Sequence, residues 1–254
     1  MMGISVVLII AIFGISLVLT MVGLGGGLIL SPLFVILGMS KSAAASSSLF
    51  LNMVGAGAAA YTYARNRMVD YSLAIPLILS SSLAAPIGSY LNVRIDLTPF
   101  LLIMALVMAM AGVRMLLPSP VLAVGDTIGI GKKIVVGIGL GSCIGLVGGL
   151  LGIGGGVFIV PLLIYVLKTP TKIAAASTTF IVCFSSLTGF IGYASMEKID
   201  WAFLLPAALA ALAGGQLGAR IMSTRLKGRS IRILFSVILF LLCARLLYQA
   251  LLTG

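Results

Sequence analysis

The sequence predicts an all-α, polytopic membrane protein built from two homologous repeats. Three observations carry that reading: the composition, the length of the apolar runs, and one glycine block that occurs twice. Of the 254 residues, 61% are hydrophobic and only 8% are charged, with a mean hydropathy of +1.28. Soluble domains carry about 25% charged residues, and a chain with so little polar surface could not cover itself in water. Almost uncharged runs cover 4–22, 43–64, 71–91, 97–117, 134–167, 173–196, 201–219 and 233–252. A membrane helix needs about 20 such residues. Alternating strands of barrel length are absent from the pattern, so the spans are helices.

Net charge is +11 with no histidine. The lysines and arginines stand at segment ends, where they read as topology signals rather than a nucleic-acid surface. Cys143, Cys183 and Cys243 lie inside apolar segments without a CxxC spacing, and read as small core residues. Residues 1–22 resemble a signal peptide only in part. No basic residue precedes Lys41, and the stretch has a counterpart at 132–151, so it is read as part of the mature fold.

The duplication is carried by matched punctuation. Gly23-Leu24-Gly25-Gly26-Gly27 leads to Pro32-Leu33, and Gly152-Ile153-Gly154-Gly155-Gly156 leads to Pro161-Leu162, 129 positions later. Ala43-Ala44-Ala45-Ser46 answers Ala174-Ala175-Ala176-Ser177, Val69-Asp70-Tyr71 answers Ile199-Asp200-Trp201, and Arg114 answers Arg245. The repeats span 1–117 and 132–254, joined by a linker at 118–131 that contains proline and glycine.

Each repeat opens with an apolar stretch of about 35 residues, which as one straight helix would run about 50 Å, longer than a bilayer requires. Consecutive glycines disfavour continued helix, so each stretch is expected as two helices, 4–22 with 28–38 and 133–150 with 157–167. If the block is a kink, each repeat has four spans and the basic residues divide seven against nine between the two sides. If it is a hairpin tip, each repeat has five segments and the repeats are inverted. One side then holds only Lys41, Arg94, Lys198 and Arg245, and the other twelve basic residues share the opposite side. That asymmetry favours the inverted arrangement, with both termini outside the cytoplasm and the linker and the 220–232 loop within it.

Gly25, Gly26, Gly27, Gly154, Gly155 and Gly156 are the leading site candidates. A helix interrupted in the bilayer exposes amide donors and a positive dipole end at the start of its second half, a site for an anion. The competing reading is close helix packing, which also suits Gly137, Gly141, Gly145 and Gly149 at every fourth position. Hydroxyl clusters follow each block: Ser46, Ser47 and Ser48 with Asn52, and Ser177, Thr178 and Thr179. They offer neutral donors to anion oxygens, or hydrogen bonds between helices and to their own preceding turns. Gln216 is a further uncharged polar group within a span. Asp70 and Asp200 begin helices and read as N-caps. No acidic residue or histidine lies deep in an apolar run, so an intramembrane carboxylate carrying a proton is not expected. Nor is catalysis, a cofactor or a metal site: no nucleophile–base pair is present, and the glycines lack the Lys-Ser or Lys-Thr of a nucleotide loop.

The doubled G-x-G-G-G-x4-P, the Ala-Ala-Ala-Ser helix and the [VI]-D-[YW]…P segment resemble the sulfite exporter TauE/SafE family along essentially the whole chain. The resemblance implies an inner-membrane permease for sulfur-containing anions such as sulfite, sulfoacetate and related organosulfonates. The expected partners are a small anionic substrate and the lipid bilayer, with no nucleic acid. The expected mechanism is alternating access; a passive anion channel on the same scaffold is the alternative.

Overall fold

The computed structural model describes residues 6–91, 105–106, 109, 112–113, 116, 130–151, 155–194 and 199–253. These residues are helical apart from short connections. In chain order the helices are α1 (Val6–Met21), α2 (Gly27–Ile36), α3 (Lys41–Arg65), α4 (Tyr71–Leu91), α5 (Ile130–Leu151), α6 (Gly156–Tyr165), α7 (Thr171–Ala194), α8 (Trp201–Thr224) and α9 (Gly228–Thr253). The expected span over 97–117 is described at Ala105, Leu106, Ala109, Gly112, Val113 and Leu116, all helical. Asp96, Arg114, Asp126 and Glu197, and most of the linker, lie outside the described residues. By length and composition, four helices (Ser42–Arg65, Tyr71–Leu91, Thr171–Ala194 and Trp201–Thr224) are apolar and long enough to cross a membrane.

Local chemistry sets the ends. Ser40 caps α3 by accepting from the Ala43 N–H at 3.2 Å, and Asp200 caps α8 by accepting from the Phe203 N–H at 3.3 Å. Asp70 accepts from both the N–H and the hydroxyl of Ser72 at the start of α4. Both aspartates therefore do the capping that their positions predict. At the end of α1, Gly23 adopts φ +88°. Its N–H donates to Thr20 O (3.2 Å) and the Leu24 N–H donates to Leu19 O (2.9 Å). This is a Schellman stop, which favours glycine because an L side chain resists the left-handed conformation.

After that stop the chain reverses. A Cβ on Gly26 would stand 3.1 Å from the Oγ of Ser16, ten residues upstream, and a Cβ on Gly155 would stand 3.1 Å from the carbonyl oxygen of Ile144. In a merely kinked helix, residues ten apart would be separated by about 15 Å. Both glycine blocks are therefore turning points between a long helix and a ten-residue return helix.

Helices from the two halves of the chain interlock. The glycines of α5 lie on α4 in rising order: Gly137 on Pro76, Gly141 on Ser80, Gly145 on Ser81 and Gly149 on Ala85. In the same way Gly214 and Gly218 of α8 lie on Phe13 and Leu17 of α1, so both pairs run parallel. The contacts of α3 with α7 run in opposite order, Leu49 meeting Gly189, Asn52 meeting Ser186 and Gly57 meeting Cys183, so this pair is antiparallel. The 105–116 segment meets α9 in the antiparallel sense too, through Ser236 Oγ to Gly112 O (2.7 Å) and Cys243 Sγ to Ala105 O (3.3 Å). Two groups result: α1, α2, α3 and α8, and α5, α6, α7 and α4, with α3 against α7 between them.

The outward faces carry large apolar side chains. Ile75, Leu79, Leu83 and Ile87 form one exposed stripe on α4, and Leu205, Leu209 and Leu212 another on α8. Small residues face inward, the distribution expected where lipid, not water, surrounds the protein. Cys183 and Cys243 are partly or fully buried, but Cys143 is exposed, contrary to its reading as a core residue. It stands two positions from both Gly141 and Gly145, which occupy the α4-facing side of α5, and is turned out of that contact.

Gly145→Leu is expected to separate α4 from α5, because its Cβ would fall on the Ser81 backbone. The cost should be roughly 1–3 kcal/mol or more, read as a lower unfolding temperature of the purified protein in detergent. Gly139→Ala, with nothing within 4 Å of the new methyl, should leave that temperature unchanged.

Candidate substrate site at the glycine tips

The first tip is built from α1, α2 and α3. Gly25 holds φ +67° and sits directly against the carboxamide of Asn52, midway along α3. Ser48 Oγ donates to Gly27 O at 2.8 Å, pinning the start of α2 to α3. The hydroxyl of Tyr63 donates to Thr20 O at 2.9 Å and ties the end of α1 to the far end of α3. The second tip repeats that last tie. The Tyr193 hydroxyl, 130 positions after Tyr63, reaches Gly149 O (3.2 Å) and Leu150 O (3.4 Å).

The tips meet. A Cβ on Gly156 would stand 3.1 Å from Leu24 O and 3.2 Å from Gly23 O, while Gly23 itself packs on the backbone of Ala175. Each return helix starts at a glycine N-cap, Gly26 or Gly155, with no side-chain hydrogen bond to cap it. Glycine has no side chain of its own to cap the first-turn amides or the positive dipole end. The whole stretch Val22–Leu28 is buried, so the first tip is closed to solvent in this conformation.

Of the residues singled out from the sequence, Gly25, Gly26, Gly27, Ser48 and Asn52 gather at the first tip, and Gly156 joins them from the second. Gly155 packs on Ile144, and Gly154 lies outside the described residues. The others diverge. Ser177 accepts from the Asp70 N–H at 2.9 Å, so its oxygen joins α7 to α4 rather than to a tip. Thr179 donates back to Ala175 O at 2.9 Å in its own helix. Ser46 and Thr178 are buried with no hydrogen-bond partner for their hydroxyls among the described residues, and Ser47 is buried as well. Gln216 is half-buried on α8 between Gly215, which touches α3, and Gly218, which touches α1.

Two further residues belong to the centre. Ser186 accepts from Asn52 Nδ2 at 2.9 Å across the α3–α7 contact. Ser16 is fully buried, its hydroxyl without a hydrogen-bond partner among the described residues, and it faces Gly26. In the sequence Ser16 stands two helical turns before Gly23, one turn from Thr20, and that spacing is a signal that could have found it.

A family model described as "Sulfite exporter TauE/SafE" matches residues 8–246. The chain belongs to the sulfite exporter TauE/SafE family. That makes it a membrane transporter and not an enzyme. Similar proteins carry the same general description. The probable membrane transporter protein YunE of Bacillus subtilis (strain 168) is 24% identical over 253 residues, covering 91% of this chain and 92% of its own. Two proteins named probable membrane transporter protein, from Xylella fastidiosa strains 9a5c and Temecula1, are 27% and 29% identical, each covering 82% of this chain and 80% of its own. No solved structure matches the chain significantly. Within this TauE/SafE transporter the glycine tips are the most strongly patterned element.

Gly25→Ala should destabilise this TauE/SafE protein by about 1–2 kcal/mol from backbone strain alone, and by more where the methyl meets Asn52. Gly26→Ala, at φ −82° with Leu30 Cδ1 at 3.3 Å from the new methyl, should cost clearly less. Thermal unfolding of the two variants side by side gives the comparison.

Proposed function

We propose that the protein is a secondary transporter that moves a small sulfur-containing anion, such as sulfite, sulfoacetate or another organosulfonate, by alternating access. The observation that carries this reading is the first tip: a return helix begins at a glycine N-cap in the middle of the protein, beside hydroxyl and carboxamide groups. Backbone amides, a dipole end and neutral donors suit an oxyanion, and no ionised side chain is needed to hold it. The family supports transport, and its description supports the sulfur-containing cargo.

The two halves act, in this reading, as inverted repeats. The antiparallel contact of α3 with α7, which hold corresponding positions in the two repeats, supports the inversion. So does the parallel pairing of α4 with α5 and of α1 with α8. If these helices span a membrane, antiparallel equivalents lie in opposite orientations. The basic residues then give the polarity, with the linker and the loop at 220–232 cytoplasmic and both termini outside. Substrate sits between the tips at the bilayer midplane.

Two experiments test the reading. Purified protein in proteoliposomes should show saturable counterflow of labelled sulfite, sulfoacetate or a related sulfonate. Gly26→Leu should remove that counterflow while still inserting in the membrane. Linear, non-saturating anion conductance without counterflow would establish a channel instead. For topology, reporter fusions at residue 125 and at the C-terminus should report opposite sides of the membrane. Both on one side would overturn the inverted arrangement.

A further inference from the structure

We infer that the two glycine tips are not equivalent: the first holds the oxyanion, with Ser16 as a direct hydrogen-bond donor to it, and the second is its apolar structural counterpart. The inference rests on the transport reading above and assigns its chemistry to one side of the site.

Three differences between matched places point the same way. Gly26 and Gly155 stand 129 positions apart and occupy the same place in the two blocks. The group facing Gly26 is the Ser16 hydroxyl, whereas the group facing Gly155 is the side-chain methyl of Ile144. Asn52, against Gly25 at the first tip, corresponds to Cys183, whose thiol is directed at Met53 O, 3.7 Å away. Ser48 reaches across to the backbone of Gly27, whereas the matched Thr179 turns back onto its own helix at Ala175 O. In each of these three pairs the polar group sits at the first tip, and its counterpart at the second is apolar or directed elsewhere.

Ser16 itself needs a ligand. It is fully buried, at 0% exposure, and its hydroxyl has no hydrogen-bond partner among the described residues. A buried hydroxyl left unmade costs about 1–3 kcal/mol, and the same helix shows the inexpensive alternative. Thr20, one turn later, donates back to Ser16 O at 2.6 Å. Ser16 does not take the equivalent bond. Its oxygen stands instead 3.1 Å from the Cβ position of Gly26, the N-cap of the ten-residue α2. An oxyanion seated at that N-terminus receives the α2 amides from one side and the Ser16 hydroxyl from the other. Because Gly155 faces the Ile144 methyl where Gly26 faces a hydroxyl, the sulfite or sulfonate oxygens are turned to the first tip.

The test uses the full chain in proteoliposomes and counterflow of radiolabelled sulfite and, separately, sulfoacetate. Ser16→Ala should raise KM about 10- to 100-fold, the usual effect of losing a hydrogen bond to a charged group, with the maximal rate within about twofold. Ser16→Cys, nearly isosteric but a weaker donor, should raise KM by a smaller factor, and it reads the same property if the alanine variant does not fold. Ile144→Val should leave KM unchanged. A KM within twofold of the parent in Ser16→Ala, or in Ser16→Cys where only that variant folds, overturns the assignment while leaving the transport reading intact. A tenfold rise in Ile144→Val overturns the inequality of the tips. Absence of counterflow for both anions in the parent protein removes the transport reading and this inference together.

Discussion

A helix that stops inside a bilayer leaves carbonyls at its end and amides at the start of the next helix, and protein must answer them because lipid cannot. The glycine tips meet that constraint unevenly, and the unevenness is the origin of the proposed site. On the carbonyl side the protein supplies its own donors. Thr20 O receives the Gly23 N–H and the Tyr63 hydroxyl, and Gly149 O and Leu150 O receive Tyr193. On the amide side neither return helix has a side-chain cap. The donors in the centre of the molecule therefore belong to the backbone, and a negatively charged solute is a partner that they suit.

The same glycines allow the fold to close around the tips. Gly141, Gly145 and Gly149 bring α5 onto the backbone of α4, and Gly214 and Gly218 bring α8 onto α1. At such contacts there are no side chains to interdigitate, and the attraction comes from close backbone approach. One long helix of each half is thereby fastened to the opening helix of the other half. The tips are held from both sides by elements distant in sequence.

Much of this architecture is legible in the residues, because glycine, proline and caps leave local signatures. The paired blocks, the Asp70 and Asp200 caps and the four-residue glycine spacing of α5 each act through local backbone geometry, so their places follow from a short window of sequence. The direction of hydroxyl side chains does not. Ser177 and Thr179 stand two residues apart in one cluster, yet the first bonds across to Asp70 and the second to its own helix. A polar pattern marks which helix is unusual, while the azimuth of each oxygen depends on packing between helices far apart in sequence. Ser16 and Ser186 escape notice for the complementary reason. A serine in an apolar helix gives no local sign of what it faces, and only the return of α2 or the crossing of α3 and α7 sets Ser16 against Gly26 and Ser186 against Asn52. Cys143 shows the same limit in the other direction, since an apolar segment alone does not separate a lipid-facing position from a core one.

The pairing of helices also bears on how such a site would open. Movement of one sequence repeat against the other would have to pull α5 from α4 and α8 from α1, breaking close backbone contacts along both pairs. A displacement between the two mixed groups leaves those contacts whole. Each group contains one tip, with its return helix and its long support: α1, α2, α3 and α8 on one side, and α5, α6, α7 and α4 on the other. Between them lies chiefly the antiparallel contact of α3 with α7, with the Asn52–Ser186 hydrogen bond and the weaker Cys183–Met53 contact at its centre. Hydrogen bonds of this kind in membrane interiors are typically worth only about 0.6 kcal/mol, so that centre can serve as a pivot without fixing one orientation. In the proposed transport cycle the moving bodies would accordingly be these two mixed groups, with one tip carried on each.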